Sequence, residues 1–288
     1  MSERTFLAEL TGSFSTSAAQ NPTVDIMEAA FVDAGLNFRY INCEVPPADL
    51  AGAVSGAIAM GWRGFNCSIP HKVAVIEHLH ELAPSAEIIG AVNTVVIDRG
   101  SGAPRLTGEN TDGQGFVASL KPVRDPAGQH VVILGAGGAA RAIAVEVALA
   151  GALSVTIINR TPERGQAVAD LIDTRTPAAG RYLPWTPAVH IPHGTGVLIN
   201  ATSIGFHPNE HDTPDVDVTS LTPDMVVADV VVNPPETNFL KAAAAQGCTT
   251  LDGLGMLVNQ ALINARLWTG HDLSGPIMRG VLEEIFEI

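Results

Sequence analysis

The stretch VVILGAGGAARAIAVEVA carries the clearest chemistry in this chain. A β-branched run over residues 131–134 leads into Gly135-x-Gly137-x-x-Ala140, and a helical pattern follows. That spacing suits a pyrophosphate. Gly135 permits a tight turn, Gly137 lets phosphates approach the backbone, and Ala140 lets helix and strand pack closely. The start of the helix adds free N–H groups and the positive end of its dipole. A glycine-rich packing turn is the plainer alternative, but the position between strand and helix reads as a dinucleotide site. The next apolar run, SVTIINR, ends in Asn159-Arg160-Thr161, with Arg164 one helical turn later. An NAD site places Asp or Glu near this point for the ribose hydroxyl. Two arginines suit a 2′-phosphate instead, so the expected cofactor is NADP. The alternative is a solvated arginine pair whose field Glu163 partly offsets.

A second set of polar residues stands at the ends of other elements. Lys72 follows the apolar run GFNCSI and the break Ile-Pro-His; Asn93 sits in GAVNTV, Asp112 in GENTDGQG and Gln260 in GMLVNQ. Each alone has a structural reading: a lysine after proline starts a helix, and Asn or Asp beside Gly makes a turn or cap. Beside a dinucleotide site the set reads differently. Hydride transfer at an alcohol carbon needs a matching proton transfer at its oxygen. A lysine can provide that, or can stabilise the developing alkoxide by charge. A neighbouring carboxylate raises the lysine pKa and burial lowers it.

Two kinds of element must hold these residues. Up to about residue 115, short apolar runs alternate with helical stretches. TFLAELTG reads as a strand ending in a Gly turn, TVDIMEAAFVDAGL as a helix stopped at Gly35, and FRYINCEV as a strand. PADLAGAVSGAIAMGW and KVAVIEHLHEL read as helices, and AVNTVVID and APRLTGEN as strands around the turn RGSG. The Pro-, Gly- and charge-rich KPVRDPAGQ separates this zone from a second. There HVVILG, SVTIINR, GVLINAT and MVVADVVV read as strands buried on both faces, separated by helices. That alternation predicts a doubly wound parallel sheet. Two amphipathic helices close the chain. The expected class is therefore α/β with two domains. Residues 1–117, completed by helices in 253–288, form a substrate domain, and residues 118–252 form a Rossmann-type NADP domain.

The chain has 288 residues and a formal net charge of -14, which argues against a general nucleic-acid binder. Cys43, Cys67 and Cys248 show no C-x-x-C spacing, as expected of a reduced cytoplasmic protein. No charge-free apolar run approaches the ~18 residues of a membrane span, and the N-terminus lacks a signal-peptide pattern. Of the histidines, His71 is expected to point away from the site, His78 and His80 to lie on a surface helix, and His190, His193, His207 and His211 in loops. None has metal-ligand spacing, so no metal is expected.

SIPHK, GAVNT, GENTDG, ILGAGGAARA, NRTPER, INATSIG, VVVNPPET and GLGMLVNQ occur in the order found in shikimate dehydrogenases, so the chain resembles that superfamily from about residue 65 to 260. The resemblance implies an active site in a cleft between a ring-acid-binding domain and an NADP domain. It implies Lys72 as proton acceptor or donor, with Asp112 holding it, and Asn93 and Gln260 on ring hydroxyls. Ser68 stands where the family usually has threonine and keeps a hydroxyl. Gly135, Ala136, Gly137, Gly138, Ala139, Asn159, Arg160, Thr161, Arg164, Thr202, Ser203, Val230, Gly253 and Met256 would bind the cofactor.

The implied reaction is NADP-dependent, reversible oxidation of a shikimate ring hydroxyl, in a monomer or homodimer without nucleic-acid or membrane partners. The chain departs from the family at two places. The usual Ser-x-Ser-Pro grip on the substrate carboxylate is represented by Asn21 and Thr23, while Ser13, Ser15 and Ser17 in SFSTS read as a flexible polar loop. Val232 replaces a usual tyrosine and cannot hydrogen-bond. Quinate or another cyclitol acid is therefore an alternative substrate, and a non-catalytic NADP and ring-acid sensor is a further alternative.

Overall fold

The computed structural model describes residues 6–100 and 102–288. Thr5 of the first expected strand and Ser101 of the RGSG turn lie outside the described residues. The chain divides into two compact units. One takes the chain up to Thr111 together with Ala261–Ile288, and the other is Asp112–Gln260.

In the first unit, β1 (Glu9–Ser15), α1 (Thr23–Asp33), β2 (Phe38–Glu44), α2 (Leu50–Ala59) and β3 (Gly64–Cys67) alternate. Then come α3 (His71–Ala74), β4 (Glu81–Leu82), α4 (Pro84–Ile89), β5 (Thr94–Asp98) and β6 (Arg105–Glu109). The six strands form one mixed sheet in the order β2-β1-β3-β5-β6-β4. Strands β1, β2 and β3 are parallel; β5 runs antiparallel to β3 and β6. Phe14, Trp62 and Phe65 are buried together, with Phe14 stacked on Phe65 at a centroid distance of 4.4 Å.

α5 (Thr111–Leu120) leads into the second unit. There β7 (His130–Leu134), α6 (Gly138–Leu149), β8 (Ser154–Asn159), α7 (Pro162–Arg175) and β9 (Ala179–Pro184) follow. β10 (Val197–Asn200), β11 (Val226–Asp229), α8 (Asn238–Ala245) and β12 (Thr249–Leu251) complete its sheet. The order is β12-β11-β10-β7-β8-β9, with all pairs parallel. The expected doubly wound sheet is present. Its direction of winding reverses between β7 and β10, the kind of switch point where such sheets bind ligands. Residues 131–134 and 197–200 are fully covered, as their unbroken apolar runs require. α9 (Gly253–Thr269) and α10 (Gly275–Ile285) end the chain.

Three local expectations are corrected. TFLAELTG does not end at Gly12: β1 continues to Ser15, so Ser13 and Ser15 belong to a buried strand and not to a flexible loop. β1 is hydrogen-bonded on both sides, by β2 and β3, which accounts for the ordering of this polar segment. KVAVIEHLHEL is not one helix. After α3 it becomes a 3-10 turn at Val75–His78 and then β4. Exchange of bonds with β6 draws it out: His80 N–H donates to the Leu106 carbonyl at 2.9 Å, and Leu106 N–H to His80 Nδ1 at 3.0 Å.

Candidate functional site

In the second unit the expected cofactor residues gather by topology. Gly135–Ala139, Asn159–Thr161, Thr202, Ser203, Val230 and Gly253 all follow the carboxyl ends of parallel strands that lie side by side. Gly135 has φ +106, and its N–H donates to the Ile158 carbonyl at 2.8 Å. A Cβ there would stand 3.0 Å from both the Ala201 oxygen and Thr202 Cγ2. Gly137 and Gly138 are exposed, and a Cβ on either would meet nothing within 4 Å. Their lack of side chains is thus not needed for packing. It keeps the amino end of α6 open, which fits a phosphate group lying against the backbone. Arg160 and Arg164 are exposed beyond β8. Met256 lies half-buried on α9.

The loops after β10 and β11 are tied together by Asp229, a residue the sequence pattern does not single out. This carboxylate is 1% exposed. It accepts from Asn200 Nδ2 at 3.0 Å, Val231 N–H at 3.1 Å and Thr237 Oγ1 at 2.8 Å. Asn200 Oδ1 in turn accepts from the Thr202 hydroxyl at 2.7 Å. Thr202 therefore spends its hydroxyl on shaping the loop. Burial is the largest influence on Asp229 and pushes its carboxyl up to about 6, against the pull of the three hydrogen bonds.

In the first unit the turn Ser68–Lys72 follows β3. Ser68 is exposed, its N–H donates to the Phe14 carbonyl at 3.0 Å, and its carbonyl accepts from His71 N–H at 2.7 Å. The buried His71 ring bonds the Val45 carbonyl through Nε2 at 2.8 Å. Lys72 is half-buried, and its carbonyl accepts from Val92 N–H at 2.7 Å, one residue before Asn93. The lysine charge reaches the Cys67 thiol: burial pushes that thiol up to about 12, and Lys72 pulls in the opposite direction.

Asn93 is 3% exposed. Its Oδ1 accepts Thr111 N–H at 2.7 Å, and its Nδ2 donates to Thr111 Oγ1 at 3.0 Å. Thr111 directly precedes Asp112, the first residue of the second unit. Asn93 therefore clamps the backbone that leads to Asp112. Gln260, the last residue of that unit, is buried and donates to the Leu257 carbonyl at 3.0 Å.

Asn21 is committed within the protein. Its Nδ2 donates to Ser13 Oγ and Asn42 Oδ1, each at 3.1 Å, and its Oδ1 caps Thr23 N–H at 3.1 Å. Thr23 is the buried first residue of α1. Val232 is half-buried. Asn66, Thr94, Thr111 and Asn264 join this polar region without having been singled out in the sequence. Asn66 is buried in β3, where its Oδ1 accepts the Tyr40 hydroxyl at 2.7 Å. A buried Asn inside an apolar strand was the available signal; Asn264 had none, because its position shows only in contact. Among the described residues, no group of three or more His, Cys, Asp and Glu could hold a metal.

Comparison with known proteins finds three family matches along the chain. The "Shikimate dehydrogenase substrate binding domain" family matches residues 17–95, "Shikimate / quinate 5-dehydrogenase" residues 119–202, and "Shikimate 5'-dehydrogenase C-terminal domain" residues 253–283. The NADP(+) shikimate dehydrogenase of Methanopyrus kandleri is 41% identical, with 89% of each chain covered. The ligand-free crystal structure of 5-ketofructose reductase from a Gluconobacter strain is 56% identical over 98% of this chain and 100% of that one, with a TM-score of 0.94. The Thermus thermophilus shikimate 5-dehydrogenase, in complex with NADP(H) and shikimate, is 31% identical over 96% of this chain and 99% of that one, with a TM-score of 0.84. With its fold, its eight ordered motifs and these matches, the chain belongs to the shikimate/quinate dehydrogenase superfamily.

Proposed function

We propose that the protein is an NADP(H)-dependent oxidoreductase that interconverts a ring hydroxyl and a ketone, with shikimate and 3-dehydroshikimate as the pair. The observation that carries this reading is a dinucleotide cradle and a Lys–Asp–Asn–Gln set in one chain of this family, which is 41% identical to an NADP(+) shikimate dehydrogenase. Bound NADP(H) supplies the hydride acceptor or donor. The exposed Gly137 and Gly138 admit its phosphates, and Arg160 and Arg164 select the 2′-phosphate. As the hydroxyl is oxidised its proton passes to the Lys72 amine, and in reduction the Lys72 ammonium returns one to the ketone oxygen. Asp112 is assigned to hold the lysine in place. Asn93 and Gln260 hold neighbouring ring hydroxyls, with Ser68 and Thr23 toward the acid end. No helix among the described residues is long and apolar enough to cross a membrane.

A second reading has one specific observation in its favour, the 56% identity to 5-ketofructose reductase. There the same proton transfer would reduce a ketone on a sugar that has no carboxylate. An Asn21 amide already spent on Ser13, Asn42 and Thr23, and an apolar Val232, suit a substrate without an acid group.

Initial rates with shikimate, quinate, 3-dehydroshikimate and 5-ketofructose, each with NADP(H) and NAD(H), decide between them. NADP-dependent turnover of shikimate supports the first reading. Turnover of 5-ketofructose alone replaces it with the second, and cofactor binding without any turnover revives the sensor. In the active pair, Lys72→Ala should lower kcat by about 10²–10⁴-fold while cofactor binding, followed by nucleotide fluorescence, persists. Near-normal turnover in that variant would remove Lys72 from the mechanism.

A further inference from the structure

We infer that Asn264 is a positioning residue for the proposed reaction, acting through Thr111 and Asn93. This rests on the functional reading above. Asn264 lies on α9, one turn beyond Gln260, and is fully buried at 0% exposure. Its Oδ1 accepts two hydroxyls, those of Thr94 and Thr111, each at 2.8 Å. Each threonine oxygen in turn accepts an amide: Asn66 Nδ2 donates to Thr94 at 2.9 Å, and Asn93 Nδ2 to Thr111 at 3.0 Å. Two hydrogen-bond chains thus run from β3 and from the start of β5 and converge on one carbonyl oxygen. Both lone pairs of that oxygen are used, and each hydroxyl has one proton to give.

The distances show what Asn264 prevents. Without it, the two hydroxyls are left with each other, 3.1 Å apart, and with Asn93 Oδ1, 3.2 Å from each. That oxygen already holds Thr111 N–H at 2.7 Å. One hydroxyl can turn to the other, but the second proton then falls on Asn93 Oδ1 beside Thr111 N–H or loses its partner, and either outcome pulls on the Asn93 amide. Asn93 is proposed to hold substrate, and Thr111 sets the backbone entering Asp112. A displaced Asn93 would therefore weaken substrate binding and misplace the carboxylate together.

The test compares wild type with Asn264→Leu, near-isosteric but without an acceptor, and Asn264→Asp, which keeps an acceptor oxygen. The readouts are kcat and KM for whichever substrate the wild type uses, KM for NADP(H), and Tm. We expect Asn264→Leu to raise substrate KM and to lower kcat/KM by about tenfold or more, with KM for NADP(H) within about twofold and most activity regained in Asn264→Asp. Substrate KM and kcat both within about twofold of wild type in Asn264→Leu overturn the inference, as does a fall in kcat alone that tracks the folded fraction. Should the leucine variant not fold, Asn264→Ser, too short to reach both threonines, is judged by the same criteria. A wild type that turns over no substrate overturns this inference with the function it rests on. An active wild type with an unaffected variant overturns this inference alone.

Discussion

Thr237 donates its hydroxyl to Asp229 Oδ2 at 2.8 Å while accepting Leu240 N–H at 3.2 Å, so the buried carboxylate and the cap of α8 form one device. The device has a pH signature. Burial raises the Asp229 carboxyl from its ordinary 3.8 to about 6. Between those values the folded state holds more protons than the unfolded one, so this residue's contribution to stability falls as pH rises through that window and is level above it. The shift corresponds to at most about 2–3 kcal/mol. Asp229→Asn keeps Oδ1 for Val231 N–H and removes the titration. Thermal unfolding of both proteins at pH 4.5 and 7.5 should show the wild type losing a few °C relative to the variant at the higher pH. A Tm difference independent of pH would assign Asp229 an unshifted carboxyl.

The two leading glycines of the cofactor turn should fail in different ways. Gly135 combines φ +106 with close approach to Ala201 and Thr202, so Gly135→Val strains the backbone and crowds the loop after β10. It should cost about 2 kcal/mol or more and lower Tm clearly. Gly137 has open space around its Cβ position, so Gly137→Val should leave Tm within a few °C while NADP(H) binding falls by an order of magnitude or more. Equal loss of Tm in both variants, by differential scanning fluorimetry, would show that Gly137 serves packing.

Cofactor choice should rest on the exposed arginines after β8. Removing charge-assisted hydrogen bonds worth about 1.5–3 kcal/mol corresponds to roughly 10–150-fold in affinity. The double variant Arg160→Ala/Arg164→Ala should therefore raise KM for NADP(H) by about that factor and leave KM for NAD(H) nearly unchanged. A parallel rise in both would mean that the arginines support the nucleotide without reading its 2′-phosphate.

Much of this protein was legible in the chain itself. The β-branched runs at 131–134 and 197–200 marked strands covered on both faces, and Gly135-x-Gly137-x-x-Ala140 marked the turn, because glycine geometry and strand burial are local demands on residue type. Lys72, Asn93, Asp112 and Gln260 are singled out only through the motifs around them. What tertiary structure alone decided are relations between residues far apart in sequence. SFSTS reads as polar loop until pairing with both β2 and β3 makes its first three residues strand, and β4 emerges from an apparent helix because β6 offers His80 its partners. Asn21 resembles a free ligand-binding amide until Ser13 and Asn42 are seen to occupy it. Asp229 and Asn264 have ordinary neighbours in sequence and extraordinary ones in space. A buried acceptor acquires its meaning from the donors that converge on it, and Thr94 reaches Asn264 across 170 positions of chain.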